Sequence, residues 1–166
     1  TVGLEDSYSY QQDFLLSPIS KPIKMNNIFF EFGKWDLTPN SEEGLNALVK
    51  LLNDNPNITI ELSAHTDLVG NDADNKQLSL RRAQSVVDYL IKHGIESARL
   101  TPVGYGEEKP VVVSKKQAEQ YPFLVENQLL YELGILLMTQ EQQDICNQLN
   151  RRIEFRVLRT TYGMFR

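Results

Sequence analysis

The run Ile58-Thr59-Ile60-Glu61-Leu62, its continuation Ser63-Ala64-His65-Thr66-Asp67, and the segment Leu78-Ser79-Leu80-Arg81-Arg82-Ala83 beyond a polar loop set the architecture. Apolar residues at 58, 60 and 62 have the period of a strand with one face buried. Leu68 to Asp74 then holds Gly70 and three Asn or Asp residues, which is loop chemistry. At Leu78 the period changes. With Ala83, Val86, Val87, Leu90 and Ile91 it draws one apolar helical side, closed near Gly94, a residue suited to the left-handed turn after a helix. Leu100 to Tyr105 returns to a short strand among Gly104 and Gly106. Upstream, Ile28-Phe29-Phe30-Glu31-Phe32, stopped by Gly33, reads as a buried strand. Thr38-Pro39-Asn40-Ser41-Glu42-Glu43 supplies a helix start, Leu45, Leu48, Val49 and Leu52 its buried side, and Asn55-Pro56-Asn57 its stop. Ile153 to Leu158 is the last strand. Strands alternating with helices predict an α/β fold, an α+β sandwich of split β-α-β type with the helices on one sheet face.

The 166 residues are enough for one domain with a well-buried core, and 41% hydrophobic with 23% charged residues is ordinary globular composition. A net charge of −5 and a pI near 5.1 exclude the basic stripe that nucleic acid requires. Cys146 is the one cysteine, so no internal disulfide forms. No apolar run approaches a membrane span, so this domain is not expected to insert into a membrane itself. Residues 1–18 show no sustained period and read as a linker or the tail of a preceding domain, leaving 19–166 as the folded unit. Residues 107–148 interrupt the regular alternation as a partly helical insertion before the last strand. Seven acids against three lysines there account for −4 of the chain's −5. The insertion holds Val111–Val113, a Lys-Lys turn, the apolar stretch Leu129–Met138 and a closing helix. Thr139 and Gln142 form that helix's capping box, with Ile145, Cys146 and Leu149 inward. It reads either as a surface decoration, removable without loss of binding, or as a docking surface for a protein partner.

Asp67 follows a strand directly, where α/β sheets place their ligands, and Arg82 lies in the early turns of the next helix. Two opposite charges facing one pocket suit a zwitterion: a carboxylate takes an ammonium group and a guanidinium takes a carboxylate. Asn75 can add an amide, and backbone N–H groups at the helix start favour anions. An Asp–Arg salt bridge that merely closes the loop fits the same spacing.

The run Ala64-His65-Thr66-Asp67, Gly70, Asn75-x-x-Leu78-Ser79-x-x-Arg82-Ala83 resembles the signature of the OmpA-like C-terminal family. The Phe-rich segment with Asp36-Leu37, Gly104-Tyr105-Gly106-Glu107 with Pro110, and Asn150-Arg151-Arg152-Ile153-Glu154 match in order, so the resemblance covers residues 26–158. It implies a β-α-β-α-β fold on a mixed sheet that binds peptidoglycan non-covalently. It also implies that Asp67 and Arg82 hold the amino and carboxyl groups of diaminopimelate in the peptide stem. Thr66, Asn75, Leu78 and Asp36 would line that pocket, with Arg151 or Arg152 near its edge. Such a domain would be periplasmic, part of an outer-membrane-associated protein, and would anchor it to the wall without a cofactor. Ala64 replaces the family's usual glycine, and Asp74 stands where the family often has tyrosine. The long insertion is similar to that of multidomain envelope lipoproteins of Bacteroidota, some of which anchor type IX secretion machinery. A protein–protein scaffold with a degenerate pocket is the alternative.

His65 has one other histidine in the chain, His93, and no metal-ligand spacing, so it reads as a structural histidine bonded to a neighbouring loop. Tyr105, Trp35 and Cys146 read as packing residues. Arg151 and Arg152 adjoin at a strand start and point to opposite faces, so at most one reaches the pocket. No nucleophile with a base and no metal triad is present, so the chain is not expected to be an enzyme.

Overall fold

The computed structural model describes residues 22–25 and 28–164; the tail expected over 1–18 lies outside the described residues. Four strands form one mixed sheet: β1 (Ile23–Met25), β2 (Thr59–His65), β3 (Leu100–Gly106) and β4 (Arg152–Arg159), in the order β1-β4-β2-β3. β4 runs antiparallel to both β1 and β2, while β2 and β3 are parallel, as a strand-helix-strand crossover requires. The crossover is α2 (Asp72–Lys92), and α1 (Glu42–Asp54) precedes β2.

Both helices cover one sheet face. Leu45, Leu48 and Leu52 of α1 and Ala83, Val86, Val87 and Leu90 of α2 pack with Ile60, Leu62 and Ala64, and with Ile153, Phe155 and Val157 of β4. Gly104 makes that packing close: a Cβ there would lie 2.3 Å from the backbone nitrogen of Leu80. α2 closes as expected, with Gly94 at φ +94° and the Ile95 amide bonded to the Leu90 carbonyl. Ala64 sits in β2, where the pairing with β3 shifts register, and does not have a positive φ.

Several expectations are corrected. Ile28 to Phe32 is not a strand; only Phe30 makes a bridge, to Leu37, and the edge strand is Ile23–Met25. The aromatic run instead turns at Glu31–Lys34, sending Phe30 toward the core and leaving Phe32 89% exposed. β2 does not expose its second face, because all seven of its residues are buried. Glu61, Ser63 and His65 are covered by long polar side chains: Tyr105 donates to Glu61 at 2.9 Å and Arg156 pairs with it at 3.0 Å. α2 begins at Asp72, capped by Asn71, which places Arg82 about three turns in rather than in the early turns. The Lys-Lys pair starts a helix, α3 (Lys115–Gln120), with Ser114 and Gln117 forming a capping box, and is not a turn.

The insertion is more than decoration. With α4 (Glu132–Leu136) and α5 (Gln140–Asn150) it builds a second apolar core from Val111, Val113, Leu124, Leu130, Ile135, Cys146 and Leu149. The capping box at Thr139 and Gln142 is present. Asn150, 1% exposed, ties the layer to the sheet: its Oδ1 accepts from the Val111 amide at 2.8 Å and its Nδ2 donates to the Leu130 carbonyl at 3.1 Å.

Candidate functional site

The loop between β2 and α2 positions the acid. Thr66 donates its amide to the Gly106 carbonyl at 2.9 Å, prolonging the β2–β3 pairing by one residue. The chain then turns at Gly70, whose φ of +101° is a backbone conformation that side-chain-bearing residues rarely adopt. Asp67, 6% exposed, accepts from the Val69 amide through Oδ1 at 2.9 Å, and its Oδ2 pairs with Arg151. Leu68 packs outward onto the insertion's core, so the loop is clamped between the two cores.

Arg82 is 7% exposed. Its Nε donates to the Lys34 carbonyl at 2.9 Å, its Nη2 to the Glu31 carbonyl at 3.3 Å, and its guanidinium lies 5.1 Å from the Phe30 ring centroid. Burial pulls its pKa below the usual arginine value, the nearby Arg151 charge adds to that, and Asp67 acts in the opposite direction. Asp67 and Arg82 therefore feel one another, yet no ion pair joins them among the described residues. The loop-closing Asp67–Arg82 bridge is thus not formed; Arg151 takes that place.

Arg82, Arg151 and Arg152 border a cavity of about 610 Å³, together with Phe29, Phe30 and His65. The expectation that at most one of the adjacent arginines reaches the pocket is corrected, because Arg151 lies at the end of α5 and not yet in the strand. Arg152 is nevertheless occupied: it bonds Glu154 at 2.7 Å and the carbonyls of Asn150 and Lys109. Asn75 and Leu78 border a different, shallower cavity of about 400 Å³ with Trp35, Asp74 and Arg81. Asn75 bonds the Val69 carbonyl at 3.1 Å and so stiffens the loop. Thr66 lies beneath the loop, its hydroxyl donating to the Asp67 carbonyl, and Asp36 is exposed on the surface and borders neither cavity.

His65 lines the larger cavity with its Nε2 3.3 Å from Glu154 and its ring stacked on Tyr105. Its partner is on a strand rather than a loop, because long β4 side chains cover the second sheet face. Burial pushes its pKa down to about 3, with the Arg152 and Lys109 charges adding to the effect, so it is neutral near pH 7. Glu107, bonded by Asn75 at 3.4 Å, has its pKa pushed up to about 7 by burial and by the neighbouring Asp72. Sequence reading passed over Phe30, Lys24 and Tyr121, all of which border the larger cavity. The aromatic run flagged Phe30 as core; nothing local marked the other two.

A strand-end acid and a buried guanidinium held by two backbone carbonyls, on a mixed α/β sheet, define the class, and comparison gives it a name. Residues 29–121 match the OmpA family, and the chain belongs to it. The match runs past position 107, so the first part of the insertion lies within it and the Asn150-Arg151-Arg152 segment beyond it. The chain is 35% identical over 103 residues to outer membrane porin F of Pseudomonas fluorescens, covering 61% of this chain and 32% of that protein. It is 38% identical over 91 residues to outer membrane protein A of Shimwellia blattae, covering 54% and 38%. The chain thus spans about a third of the length of these relatives. In fold it resembles the peptidoglycan-associated lipoprotein of Burkholderia pseudomallei, with TM-score 0.57 at 20% identity over 79% of this chain and 88% of that one. It also resembles the cell wall anchor of the type VI secretion system of Pseudomonas aeruginosa, with TM-score 0.56 at 16% identity over 92% and 96%.

Proposed function

We propose that this domain binds peptidoglycan non-covalently and tethers an outer-membrane-associated protein to the wall from the periplasmic side, without catalysing a reaction. One observation carries the reading: Asp67, just beyond the end of β2, and Arg82, on α2, are both buried, lie within electrostatic reach, and are not bonded to each other. A carboxylate and a guanidinium so held are complementary to a ligand bearing an ammonium and a carboxylate, as diaminopimelate does at each end. Arg82 is oriented by two backbone carbonyls, so little side-chain entropy remains to be lost on binding. Asp67 keeps one oxygen on the Val69 amide and exchanges or shares Arg151 for the ammonium. The expected outcome is that the purified chain pellets with sacculi and binds free diaminopimelate, leaving the wall chemically unchanged. Released muropeptides, or no pelleting by folded protein, would overturn it.

A second reading makes the insertion a docking face within an envelope assembly such as the type IX secretion machinery. Leu133, Leu136 and Leu137, at 69%, 60% and 90% exposure, favour a protein contact there. The two readings are compatible, since this face belongs to α4 and its end rather than to either cavity.

A further inference from the structure

Trp35 is the chain's single tryptophan, and it belongs to neither apolar core. It is 41% exposed, although the segment that carries it is fastened to α2. Ser85 donates its hydroxyl to the Trp35 carbonyl at 2.6 Å, and Arg82 holds the carbonyls of Lys34 and Glu31. The Arg81 guanidinium lies over the indole, 4.4 Å from its centroid, and orients it. A large apolar ring left out of the core forgoes burial that would stabilise the fold. Held in place before any ligand arrives, it loses little freedom on contact.

The ring borders the cavity of about 400 Å³, a size within the roughly 300–1,000 Å³ of small-molecule sites. Asp74, Asn75, Gln77, Leu78 and Arg81, from the first three turns of α2, complete most of its wall. The lining therefore carries one carboxylate, two amides and one guanidinium beside an indole, and its two charges are opposite. Such a surface does not select an ion. It suits a neutral ring rich in hydroxyl groups. The C–H bonds of a sugar ring carry partial positive charge and lie well on the electron-rich face of an indole. Its hydroxyl and amide groups both donate and accept, so carboxylate, amide and guanidinium can each serve them.

The cavity also adjoins the charge pair. Leu78 and Arg82 are neighbours one turn apart on α2, and Asn75 bonds the carbonyl of Val69, whose amide serves Asp67. In the wall a peptide stem hangs from a strand of N-acetylated sugars, so a stem held at Asp67 and Arg82 brings a sugar with it. We propose that this cavity is a saccharide subsite, in which one sugar of the glycan strand stacks on Trp35 while the stem's diamino acid occupies Asp67 and Arg82. The proposal rests on the wall-binding reading and adds to it a preference for a stem that still carries its sugars over the bare peptide. Trp35 supplies the apolar face, and Asp74, Gln77 and Arg81 supply partners for hydroxyl and acetamido groups.

The test titrates the full chain by calorimetry and by Trp35 emission, which no other tryptophan obscures. The ligands are free diaminopimelate, the bare stem peptide, the same stem on its disaccharide, and an N-acetylglucosamine oligomer without peptide at millimolar concentration. The disaccharide form is expected to bind about two- to tenfold more tightly than the bare stem, the worth of one aromatic stack. It and the oligomer should both change Trp35 emission, and free diaminopimelate should not. Trp35→Ala should bring the two stems to equal affinity and leave free diaminopimelate binding unchanged, while Trp35→Phe keeps part of the difference. Should Trp35→Ala melt as unfolded, the emission of the natural chain decides alone. Equal affinity for the stem with and without sugar in the natural chain, or an emission unmoved by the oligomer, overturns the subsite. An emission change as large with free diaminopimelate as with the disaccharide form overturns its assignment to sugar. If free diaminopimelate fails to bind while the oligomer moves the emission, the Asp67–Arg82 reading fails and the saccharide subsite stands.

Discussion

Asp67 and Arg82 differ in what else they do, and that difference makes them separable by substitution. Asp67→Asn keeps an oxygen for the Val69 amide and deprives only Arg151, whose side chain is 42% exposed, so the cost to stability is about 0–1 kcal/mol. The same change removes the charge that meets an ammonium, so diaminopimelate affinity should fall about ten- to a hundredfold while the melting temperature hardly moves. Arg82→Ala should lose affinity to a similar degree and also lose about 1–3 kcal/mol, because the Glu31 and Lys34 carbonyls lose their donor and the segment over Phe30 loosens. Thermal melts beside ligand titrations of both variants check this. Wild-type affinity in folded Asp67→Asn would remove Asp67 from the site. Arg151 is expected to behave oppositely at this position: Arg151→Ala frees Asp67 of its competitor and should not weaken free diaminopimelate by more than about twofold, within the worth of an exposed ion pair.

At the scale of elements, two contacts that sequence does not announce hold the site in place. α2 approaches β3 so closely at Gly104 that an added Cβ would stand 2.3 Å from backbone and 2.6 Å from the Ser79 hydroxyl, the group that accepts from the Gly106 amide. Gly104→Ala should therefore cost about 1–3 kcal/mol or more, since backbone rather than a flexible side-chain end must move. Chemical denaturation should show a lower midpoint at an unchanged slope. The insertion is the other contact. From sequence, shortening 107–148 to a minimal loop is expected to spare wall binding provided the domain folds, but it would strip Asn150 of its partners and expose Leu149 and Leu68. The revised expectation is a destabilised domain with weaker binding, read by melting and by pelleting with sacculi. A shortened variant that melts like the intact chain would show that the second core is an independent appendage.

One histidine and one glutamate should give the molecule as a whole two pH dependences of opposite sign. His65 stays neutral in the fold down to about pH 3, whereas an unfolded histidine titrates near 6.5. Protonation therefore favours unfolding, and the stability that neutral His65 provides is whole above pH 6.5 and is lost as the pH falls from there toward 3. Glu107, raised to about 7 from 4.5, binds its proton more tightly in the fold, so its contribution falls as the pH rises through that window. Between about pH 4.5 and 6.5 the two partly cancel. Glu107→Gln should raise the melting temperature at pH 7.5 and steepen the fall on acidification relative to the natural chain. Equal slopes from pH 7.5 to 4.5 in both proteins would show that Glu107 does not titrate in this range.

Local sequence determined what local physics controls. Leu45, Leu48 and Leu52 have the helical period and a core to fill, and Asn71, Gly94 and Thr139 with Gln142 end or begin helices through bonds to their own neighbours. Asp67 and Arg82 were legible because a motif fixes them to the end of a strand and the side of a helix. Tertiary structure alone decided the rest. Phe30 turns in while Phe32 turns out because a turn at Glu31–Lys34, pinned by Arg82, overrides the strand preference of the aromatic run. Glu61, Ser63 and His65 are buried because β2 is central and side chains from β3 and β4, distant in sequence, cover them. Asp67 meets Arg151 across 84 residues, and Lys24 meets Tyr121 across one cavity; such pairings have no period, because chain folding and not the neighbouring residues brings their atoms together.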